Sequence, residues 1–287
     1  MDQNKDAKDQ KKQKTPDKKT FLDKHNIVVG QKLDSGGFGI VYKGLMRGEN
    51  VAIKVMKIAR VDKQDLDREL DILKVVKHDH IVRCYMIQRT HNHVWIIMEL
   101  ESGGSIGKWV RKYGSIPPWQ SVNFIIPCIE ALIYLHSKNI AHRDLKLDNI
   151  LLDDHLEPKL TDFGLSRFFK ESEDRLSTTF CGTKTYMALE VQLRKRYNPM
   201  IADVWSLGVC LYIMIYAEAP FEKKDEQKMI TQMRKQEFRV KNIGVDAALE
   251  ERAKKLFRKM MHPEPDKRIK FADCLKDDFI TNPYASS

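Results

Sequence analysis

The sequence predicts an α+β protein with two lobes, a small β-rich lobe with one main helix and a larger, mostly helical lobe. Residues 27–57 contain three short apolar runs with strand character, and 62–76 carry apolar residues at helical spacing. A buried strand at 94–100 leads into a candidate hinge at 101–104, after which the patterns are mostly helical. The 287 residues suffice for one large domain or two modest lobes, and the change of pattern at the hinge favours two.

The composition is typical of a soluble globular protein from a reducing compartment. Apolar residues make up 42% and charged residues 31% of the chain. The five cysteines are odd in number and show no CxxC spacing, which argues against a disulfide framework or a zinc site. No charged-then-apolar leader precedes Phe21-Leu22. We therefore expect a cytoplasmic protein, with the nucleus as the alternative, and no membrane association.

The chain is basic, with a formal charge of +10 and an isoelectric point of about 9.2. Residues 1–20 hold seven Lys and four Asp and almost no apolar side chain. We expect residues 1–24 to form a disordered basic tail, with order beginning near His25. Nucleic acid is one partner for such charge, but no aromatics interleave the tail lysines, so general surface charge is favoured over a nucleic-acid partner.

Strands are predicted at 27–33, 40–43 and 51–55. The first two are joined by Asp34-Ser35-Gly36-Gly37-Phe38-Gly39, whose glycines let backbone N–H groups approach an anion closely. Neither the helix of a Rossmann fingerprint nor the Gly-Lys-Ser/Thr of a Walker loop follows, so both nucleotide folds are disfavoured. When this glycine-rich turn is considered alone, a plain hairpin explains it better than an anion-binding loop.

Lys54 lies on the strand face opposite Val51, Ile53 and Val55. A lysine on an inner face needs an anionic partner, and Glu69, at the border of the 62–76 helix's apolar stripe, could reach it. The spacing leaves two alternatives open: a pair that presents the ammonium to a phosphate, or a surface salt bridge.

A polar cluster surrounds a predicted β-hairpin between 141 and 164. Apolar runs at 150–152 and 156–160 flank an Asp-rich turn, so the hairpin should bring Asn149 close to Asp162, with Asp144 on the preceding loop. Two carboxylates and an amide oxygen suit Mg²⁺. The alternative is an ordinary polar loop followed by a hairpin.

Helices are predicted in the second half at 121–137, 201–217, 227–236, 247–261 and 272–279. Pro127 should kink or interrupt the first of these. The second is at the lower limit for a membrane span, but Asp203 and Ser206 favour a buried core helix.

Eight motifs follow one another along the chain: the Gly-rich loop 34–41, VAIK at 51–54, Glu69, HRDLKLDN at 142–149, DFG at 162–164, GTKTYMALE at 182–190, DVWSLG at 203–208 and Arg268 in PDKR. In this order and spacing, they make residues 25–280 resemble eukaryotic protein kinases. The resemblance implies a kinase domain at 25–280, with an N-lobe at 25–100, a C-lobe at 101–280 and a tail at 281–287. Lys146 with Gly182-Thr183 resembles the serine/threonine branch, and the helix at 203–214 the calcium/calmodulin-dependent-kinase-like group, with the testis-specific serine kinases among its members.

The resemblance implies a serine/threonine protein kinase that transfers the γ-phosphate of ATP, with Mg²⁺, to protein substrates. Asp144 accepts the substrate proton, Lys146 steadies the γ-phosphate, Asn149 and Asp162 hold Mg²⁺, and Thr183 completes the catalytic set. Lys54, held by Glu69, contacts the α- and β-phosphates, and Met98 is the gatekeeper before the hinge. The implied nucleotide-binding positions are Leu33, Asp34, Ser35, Gly36, Gly37, Phe38, Gly39, Val41, Ala52, Lys54, Glu69, Met98, Glu99, Glu101, Leu151 and Asp162.

Regulation is expected on the segment between Arg167 and Gly182. Phosphorylated Thr179, clamped by Arg143 and Arg167, would order this segment, and the phosphate would come from an upstream activating kinase or from autophosphorylation. The alternative is an exposed Ser/Thr-rich loop without control. Glu190 is expected to pair with Arg268.

Some residues depart from the family pattern: Asp34 in the Gly-rich loop, Lys184 and Leu189 at prolines, and Ser105 where an acid is common. The first three motivate a second hypothesis, a pseudokinase scaffold with weakened ATP binding. The intact set of Lys54, Glu69, Asp144, Lys146, Asn149 and Asp162 argues for an active enzyme. With Ser105 in place of an acid, Asp148 indicates only a weak preference for basic substrates.

Overall fold

A computed structural model of the chain describes residues 18–36, 39–169, 176–239 and 246–284. The chain divides into two compact units, the first formed by 1–61 with 85–98 and the second by 62–84 with 99–287. The predicted α+β class with a β-rich and a helical lobe is confirmed. The predicted lobes at 25–100 and 101–280 stay predictions; by their contacts, residues 62–84 group with the second unit.

The first unit is a five-stranded sheet made of β1 (Ile27–Gly36), β2 (Gly39–Met46), β3 (Glu49–Lys57), β4 (Cys84–Arg89) and β5 (His93–Met98). The strand order is β1-β2-β3-β5-β4. Pairing is antiparallel from β1 to β2, β2 to β3 and β3 to β5. Strand β4, whose residues are all half-buried or exposed, was not predicted.

The expectation of disorder up to residue 24 is wrong for its last part. Residues Lys18–Lys24 form helix α1, and Phe21 on it is only 1% exposed. Its ring lies 6.2 Å from that of Trp95, in a core that also contains Ile27, Val51 and Ile53. Burying this one phenylalanine offsets the polarity of the surrounding segment. The remainder of the predicted tail, 1–17, lies outside the described residues.

The helices of the second unit are α2 (Lys63–Val75), α3 (Ile106–Tyr113), α4 (Pro118–Ser137), α5 (Leu189–Gln192), α6 (Pro199–Tyr216), α7 (Glu226–Lys235), α8 (Ala247–Met260), α9 (Phe271–Cys274) and α10 (Asp278–Thr281). The unit is built around the two long helices α4 and α6, most of whose side chains are buried. Its short strands are β6 (Gly104–Ser105), β7 (Ile140–Ala141), β8 (Ile150–Leu152), β9 (Pro158–Leu160) and β10 (Arg167–Phe168).

Helix α6 is the one helix of the described residues that is long and apolar enough to cross a membrane. In this fold 78% of it is buried inside the protein, as expected for a core helix. The predicted interruption of α4 is wrong, because this helix runs unbroken through Pro127 with buried residues on both sides. The single helix predicted at 272–279 is instead two, since Asp277 caps α10 by accepting the N–H of Phe279.

The predicted hairpin is present as β8 and β9, which pair with Ile150 opposite Leu160. Its second strand begins at Pro158, because Leu156 has a left-handed φ of 64° in the turn. Oδ1 of Asp153 accepts the N–H groups of His155 and Glu157 and closes that turn. The hairpin therefore follows directly from the turn chemistry of the sequence.

Candidate active site

The loop that carries Asp144 is held by a buried carboxylate on α6. Asp203 is 1% exposed and accepts the backbone N–H groups of His142 and Arg143 at 2.9 Å each. Its Oδ2 also lies 3.0 Å from Nε2 of His136. Arg143 has a left-handed φ of 69°, so this clamp holds the loop in a conformation that a non-glycine residue rarely adopts.

The Asp144 carboxylate, 7% exposed, is gripped on both oxygens. Oδ2 accepts Nζ of Lys146 at 2.6 Å, and Oδ1 accepts the hydroxyl of Thr183 at 2.9 Å. The structure thus brings together all four predicted catalytic residues, because Nδ2 of Asn149 also donates to Oδ2 at 3.4 Å. Oδ2 thereby has two donors, whereas Oδ1 keeps a second lone pair for a further donor.

Asn149, the fourth predicted catalytic residue, is oriented by the same loop. Its Nδ2 donates to the Asp144 carbonyl at 2.9 Å, which leaves the amide oxygen as its acceptor group. Its backbone oxygen accepts the N–H of Thr161 at 3.0 Å, next to Asp162. One amide oxygen and one carboxylate fit Mg²⁺, which binds proteins through a few oxygens and takes the rest from phosphates and water.

The segment after Asp162 is tied to the loop by His142, which sequence reasoning had not singled out. This fully buried ring has Nε2 3.1 Å from the carbonyl of Thr161, and it packs against the ring of Phe163 at 5.4 Å with a tilt of 45°. The hydroxyl of Ser166 donates to the His142 carbonyl at 3.0 Å. Asp162 itself has a φ of 65°. A histidine in a loop gives no periodic signal, so only the structure could reveal this link.

Four predicted nucleotide-binding residues share one face of the sheet in the first unit. Val41 lies opposite Lys54, and Ala52 opposite Met98. Because residues two apart point the same way, all four lie on the face opposite the core residues Val51 and Ile53. Leu33, Asp34, Ser35 and Gly36 lie on β1 and Gly39 on β2, while Gly37 and Phe38 lie outside the described residues.

The predicted ion pair between Glu190 and Arg268 is confirmed. The guanidinium binds both carboxylate oxygens, at 2.8 and 3.0 Å, and lies over the ring of Trp205. Both side chains are buried, and Arg268 also donates to the carbonyls of Ile201 and His262. This pair anchors the far end of the segment that begins at Gly182.

Residues 27–280 match the protein kinase domain family. The chain belongs to this family. The match covers nearly all of the folded part, and it confirms the resemblance drawn from the eight motifs.

Relatives of this kinase are named as serine/threonine kinases. It is 28% identical over 281 residues to testis-specific serine/threonine-protein kinase 4 of Homo sapiens, covering 91% of this chain and 84% of the relative. It is 34% identical to CBL-interacting serine/threonine-protein kinase 13 of Arabidopsis thaliana, covering 91% and 52%. It is 32% identical to probable serine/threonine-protein kinase MARK-A of Dictyostelium discoideum, covering 91% and 24%. The kinase thus spans only part of the latter two proteins, and it is a serine/threonine protein kinase of the calcium/calmodulin-dependent-kinase-like group.

The predicted hinge acids of the kinase turn their side chains into the second unit. Oε1 of Glu99 accepts Nζ of Lys159 at 2.6 Å, and Oε2 accepts the N–H of Arg83 at 3.2 Å. Glu101 is buried, and its Oε1 lies 3.8 Å from the same ammonium. Burial and the nearby charge of Glu99, opposed by Lys159, raise the pKa of Glu101 to about 7. Both carboxylate oxygens of Glu99 are thus engaged, whereas those of Glu101 have no hydrogen-bond partner among the described residues.

The other nucleotide-binding predictions of the second unit are Leu151 and Glu69. Leu151 is half-buried on β8 opposite Lys159. Glu69 is buried on α2, and its pairing with Lys54 stays a prediction.

Arginines cluster beside the predicted regulatory segment. Nε and Nη1 of Arg143 are buried and have no hydrogen-bond partner among the residues the structure describes, while Nη2 lies 2.6 Å from Sγ of Cys181. Burial and the charges of Arg143 and Arg68 lower the pKa of Arg167. The presence of Arg68, from α2, in this cluster was not predicted. Oδ1 of Asp65 lies 3.6 Å from Nη2 of Arg167 and supplies a counter-charge.

Thr179 is half-buried near this cluster. Its N–H donates to Oγ of Ser177 at 3.1 Å, and its carbonyl accepts the hydroxyl of Tyr197 at 2.9 Å. Burial raises the pKa of Tyr197, and the charge of Arg143 opposes this, which places the guanidinium near the tyrosine that holds Thr179. The neighbouring Thr178 is exposed.

Proposed function

We propose that this kinase binds ATP with Mg²⁺ and transfers the γ-phosphate to serine and threonine hydroxyls of protein substrates, with Asp144 as the catalytic base. The hydrogen bonds from Lys146 and Thr183 to the Asp144 carboxylate carry the proposal, because they fix both oxygens while Oδ1 keeps a lone pair for a hydroxyl. Phosphoryl transfer leaves little covalent chemistry for a protein, so alignment and charge neutralisation decide the rate.

Each residue of the second unit has a stated part in this proposal. The amide oxygen of Asn149 and the carboxylate of Asp162 would hold Mg²⁺, which with ATP supplies the phosphoryl group and neutralises its charge. Asp144 orients the substrate hydroxyl and takes its proton on a carboxylate oxygen. Lys146, whose ammonium already lies within hydrogen-bond distance of both Asp144 and Thr183, neutralises charge on the transferred group.

The proposal extends to control by phosphorylation of Thr179 by an upstream kinase. Two buried guanidinium nitrogens of Arg143 have no hydrogen-bond partner among the described residues, which favours an anion as partner because unpaired buried donors are costly. Arg167 and Arg68 add positive charge around a single aspartate, Asp65. A phosphate on Thr179 would supply the missing acceptors.

The departures from the family pattern do not favour the pseudokinase alternative. Asp34 is exposed, and its Oδ1 accepts the N–H of Ser35 at 2.7 Å. Lys184 pairs with Glu226 at 2.6 Å, away from Asp144. Leu189 is buried at the start of α5. Each therefore has a local partner and displaces no catalytic group.

The direct test is transfer of label from radioactive ATP, with Mg²⁺, to dephosphorylated casein and histone H1. We expect Asp144→Asn to lower kcat by roughly 10²–10⁴-fold, the usual contribution of a general base. Asp154→Asn, at an exposed position in the β8–β9 turn, is the matched control and should retain wild-type activity. Equal labelling by wild type and Asp144→Asn on both proteins would refute the proposal.

A further inference from the structure

Asp148 is an exposed acid on the loop that carries the catalytic groups. It lies in the single turn Leu147–Asn149, where its two neighbours are only 2% and 5% exposed, while its own side chain is 42% exposed. Asn149 donates to the Asp144 carboxylate. Because consecutive Cα atoms lie about 3.8 Å apart, Asp148 is only a few residue lengths from the proposed position of the substrate hydroxyl. A carboxylate there attracts a basic side chain of the substrate unless the protein itself neutralises it.

Helix α3 covers this acid with an arginine. Nη2 of Arg111 donates to Oδ1 of Asp148 at 2.6 Å, and Nη1 donates to Oδ2 at 3.4 Å, so the guanidinium contacts both oxygens. The hydrogen bond with Asp148 raises the pKa of Arg111. The pair thus balances the charge of Asp148 within the protein, and its two-point geometry distinguishes it from most exposed ion pairs, which contribute little.

The sequence of α3 allows this pairing. Gly107 lies one turn before Arg111, on the same face of the helix. A Cβ at Gly107 would lie 2.7 Å from Oδ1 of Asp148 and 3.1 Å from its backbone nitrogen. Glycine therefore permits a close approach that a side chain would prevent, and Arg111 reaches the acid from the next turn.

The ion pair also borders the segment that follows Thr183. Burial raises the pKa of Tyr186, and the nearby charges of Asp148 and Arg111 act on it in opposite directions. Tyr186 lies three residues after Thr183, whose hydroxyl donates to Asp144. The pair is therefore close to both segments that hold the proposed catalytic base.

Two further positions offer no uncompensated negative charge to a basic substrate. Ser105, at the position where an acid is common in the family, is 5% exposed, and its hydroxyl accepts the N–H of Lys108 as the cap of α3. Glu226 pairs with Lys184, the residue after Thr183, at 2.6 Å. The neutralisation of Asp148 is thus consistent with its surroundings.

We propose that Arg111 is a specificity-determining residue, which by neutralising Asp148 removes the attraction for basic side chains beside the phosphorylated serine or threonine. The inference rests on the proposed function, since those side chains belong to the phosphate acceptor. It adds the substrate class: acceptor sequences with uncharged residues around the phosphorylated residue, in which an added arginine brings no advantage.

The test is an arginine scan of a peptide acceptor. The parent peptide has one serine among alanines and glycines, and each further peptide carries a single arginine at a successive position before or after the serine. The arginine effect is the ratio of kcat/KM for an arginine peptide to that for the parent. In the wild type it should stay within about twofold of unity, because the acid is already paired. In Arg111→Ala it should reach about tenfold at one or more positions, because the peptide can then bind Asp148 by a charged hydrogen bond.

Two further variants separate this role from a structural or a general electrostatic one. Arg111→Ala/Asp148→Asn should lose the arginine effect, because the exposed charge is gone. Lys112→Ala removes a positive charge from the next position of α3, where Nζ lies over the ring of Tyr113, and should behave as wild type. Each arginine effect is a ratio within one variant, so a change in folding or kcat that is common to all peptides cancels.

Three results would overturn the inference. One is an arginine scan of Arg111→Ala that equals that of the wild type. Another is the same arginine effect in Lys112→Ala, which would mean general charge repulsion. The third is an effect that persists in Arg111→Ala/Asp148→Asn. Binding of fluorescent peptides to the same proteins carrying Asp144→Asn, measured by anisotropy, gives the comparison as ratios of Kd even if no phosphate is transferred, so this inference and the proposed function can fail separately.

Discussion

Nζ of Lys146 lies 2.6 Å from Oδ2 of Asp144 and 3.4 Å from the hydroxyl of Thr183. A single ammonium therefore neutralises the predicted base and touches the residue that holds the base's other oxygen. A preorganised ammonium stabilises most strongly the charge that develops during phosphoryl transfer, because it does not have to move when that charge appears.

Replacing Lys146 by methionine should lower kcat by about 10²–10³-fold, because one preorganised cation is lost. The KM for ATP should change little, as Lys146 contacts no predicted adenine-binding residue. Lys146→Arg, which keeps the charge, should recover part of the rate. A rise in the KM for ATP at unchanged kcat would instead mean that Lys146 serves ground-state binding.

The buried pair of Glu190 and Arg268 leads to a stability prediction. Arg268→Met leaves an uncompensated carboxylate of low exposure and should cost about 3–5 kcal/mol, measured as the free energy of unfolding in urea. The double variant Glu190→Gln/Arg268→Met removes that charge and should be more stable than Arg268→Met alone. If both variants lose the same free energy, the ion pair contributes nothing specific.

Local sequence patterns were enough to predict the hairpin. They were therefore also enough to predict that its two ends, next to Asn149 and Asp162, lie close together. Two apolar runs around an Asp-rich turn encode that hairpin within about a dozen residues. The clamp by Asp203 was beyond such reasoning, because it joins loop and helix positions 60 and 61 residues apart. The same holds for Arg68, which α2 brings to the regulatory cluster. Phe21 was missed because one buried ring in a polar segment produces no periodicity.

The raised pKa of Glu101 predicts a pH-dependent stability. Its folded pKa of about 7 exceeds the value of 4.5 for an exposed glutamate, so the folded state holds the proton more tightly. The contribution of Glu101 to the free energy of unfolding is therefore fully present below about pH 4.5 and is lost as the pH rises towards 7. Glu101→Gln should raise the free energy of unfolding at pH 8 by about 1–3 kcal/mol and change it little at pH 4.5. Exposed Glu157→Gln is the control, and an equal gain at both pH values would contradict the assignment.

Control through Thr179 predicts a difference between two adjacent threonines. Thr179→Ala should lower kcat at least about tenfold in protein treated with an activating kinase, because the phosphate that pairs with Arg143 is lost. Thr178→Ala, one residue away and exposed, should leave kcat unchanged. Phosphopeptide mass spectrometry measures how much of Thr179 carries a phosphate. Limited proteolysis of residues 168–182 measures whether that segment becomes ordered. Full activity and unchanged cleavage in Thr179→Ala would show that the loop has no such control.

Gly182 has a left-handed φ of 106°, and a Cβ there would lie 2.8 Å from the carbonyl oxygen of Arg143. Gly182→Ala should therefore push the following Thr183 away from Asp144 and lower kcat about tenfold or more, since misplacing a catalytic contact by an ångström is costly. Gly48→Ala is the matched control, because its φ is also left-handed, at 90°, but a Cβ there has open space. Both variants should lose about 1–3 kcal/mol of stability from backbone strain, and only Gly182→Ala should lose turnover. Equal kcat values for the two variants would mean that the close approach of Gly182 to Arg143 does not position Thr183.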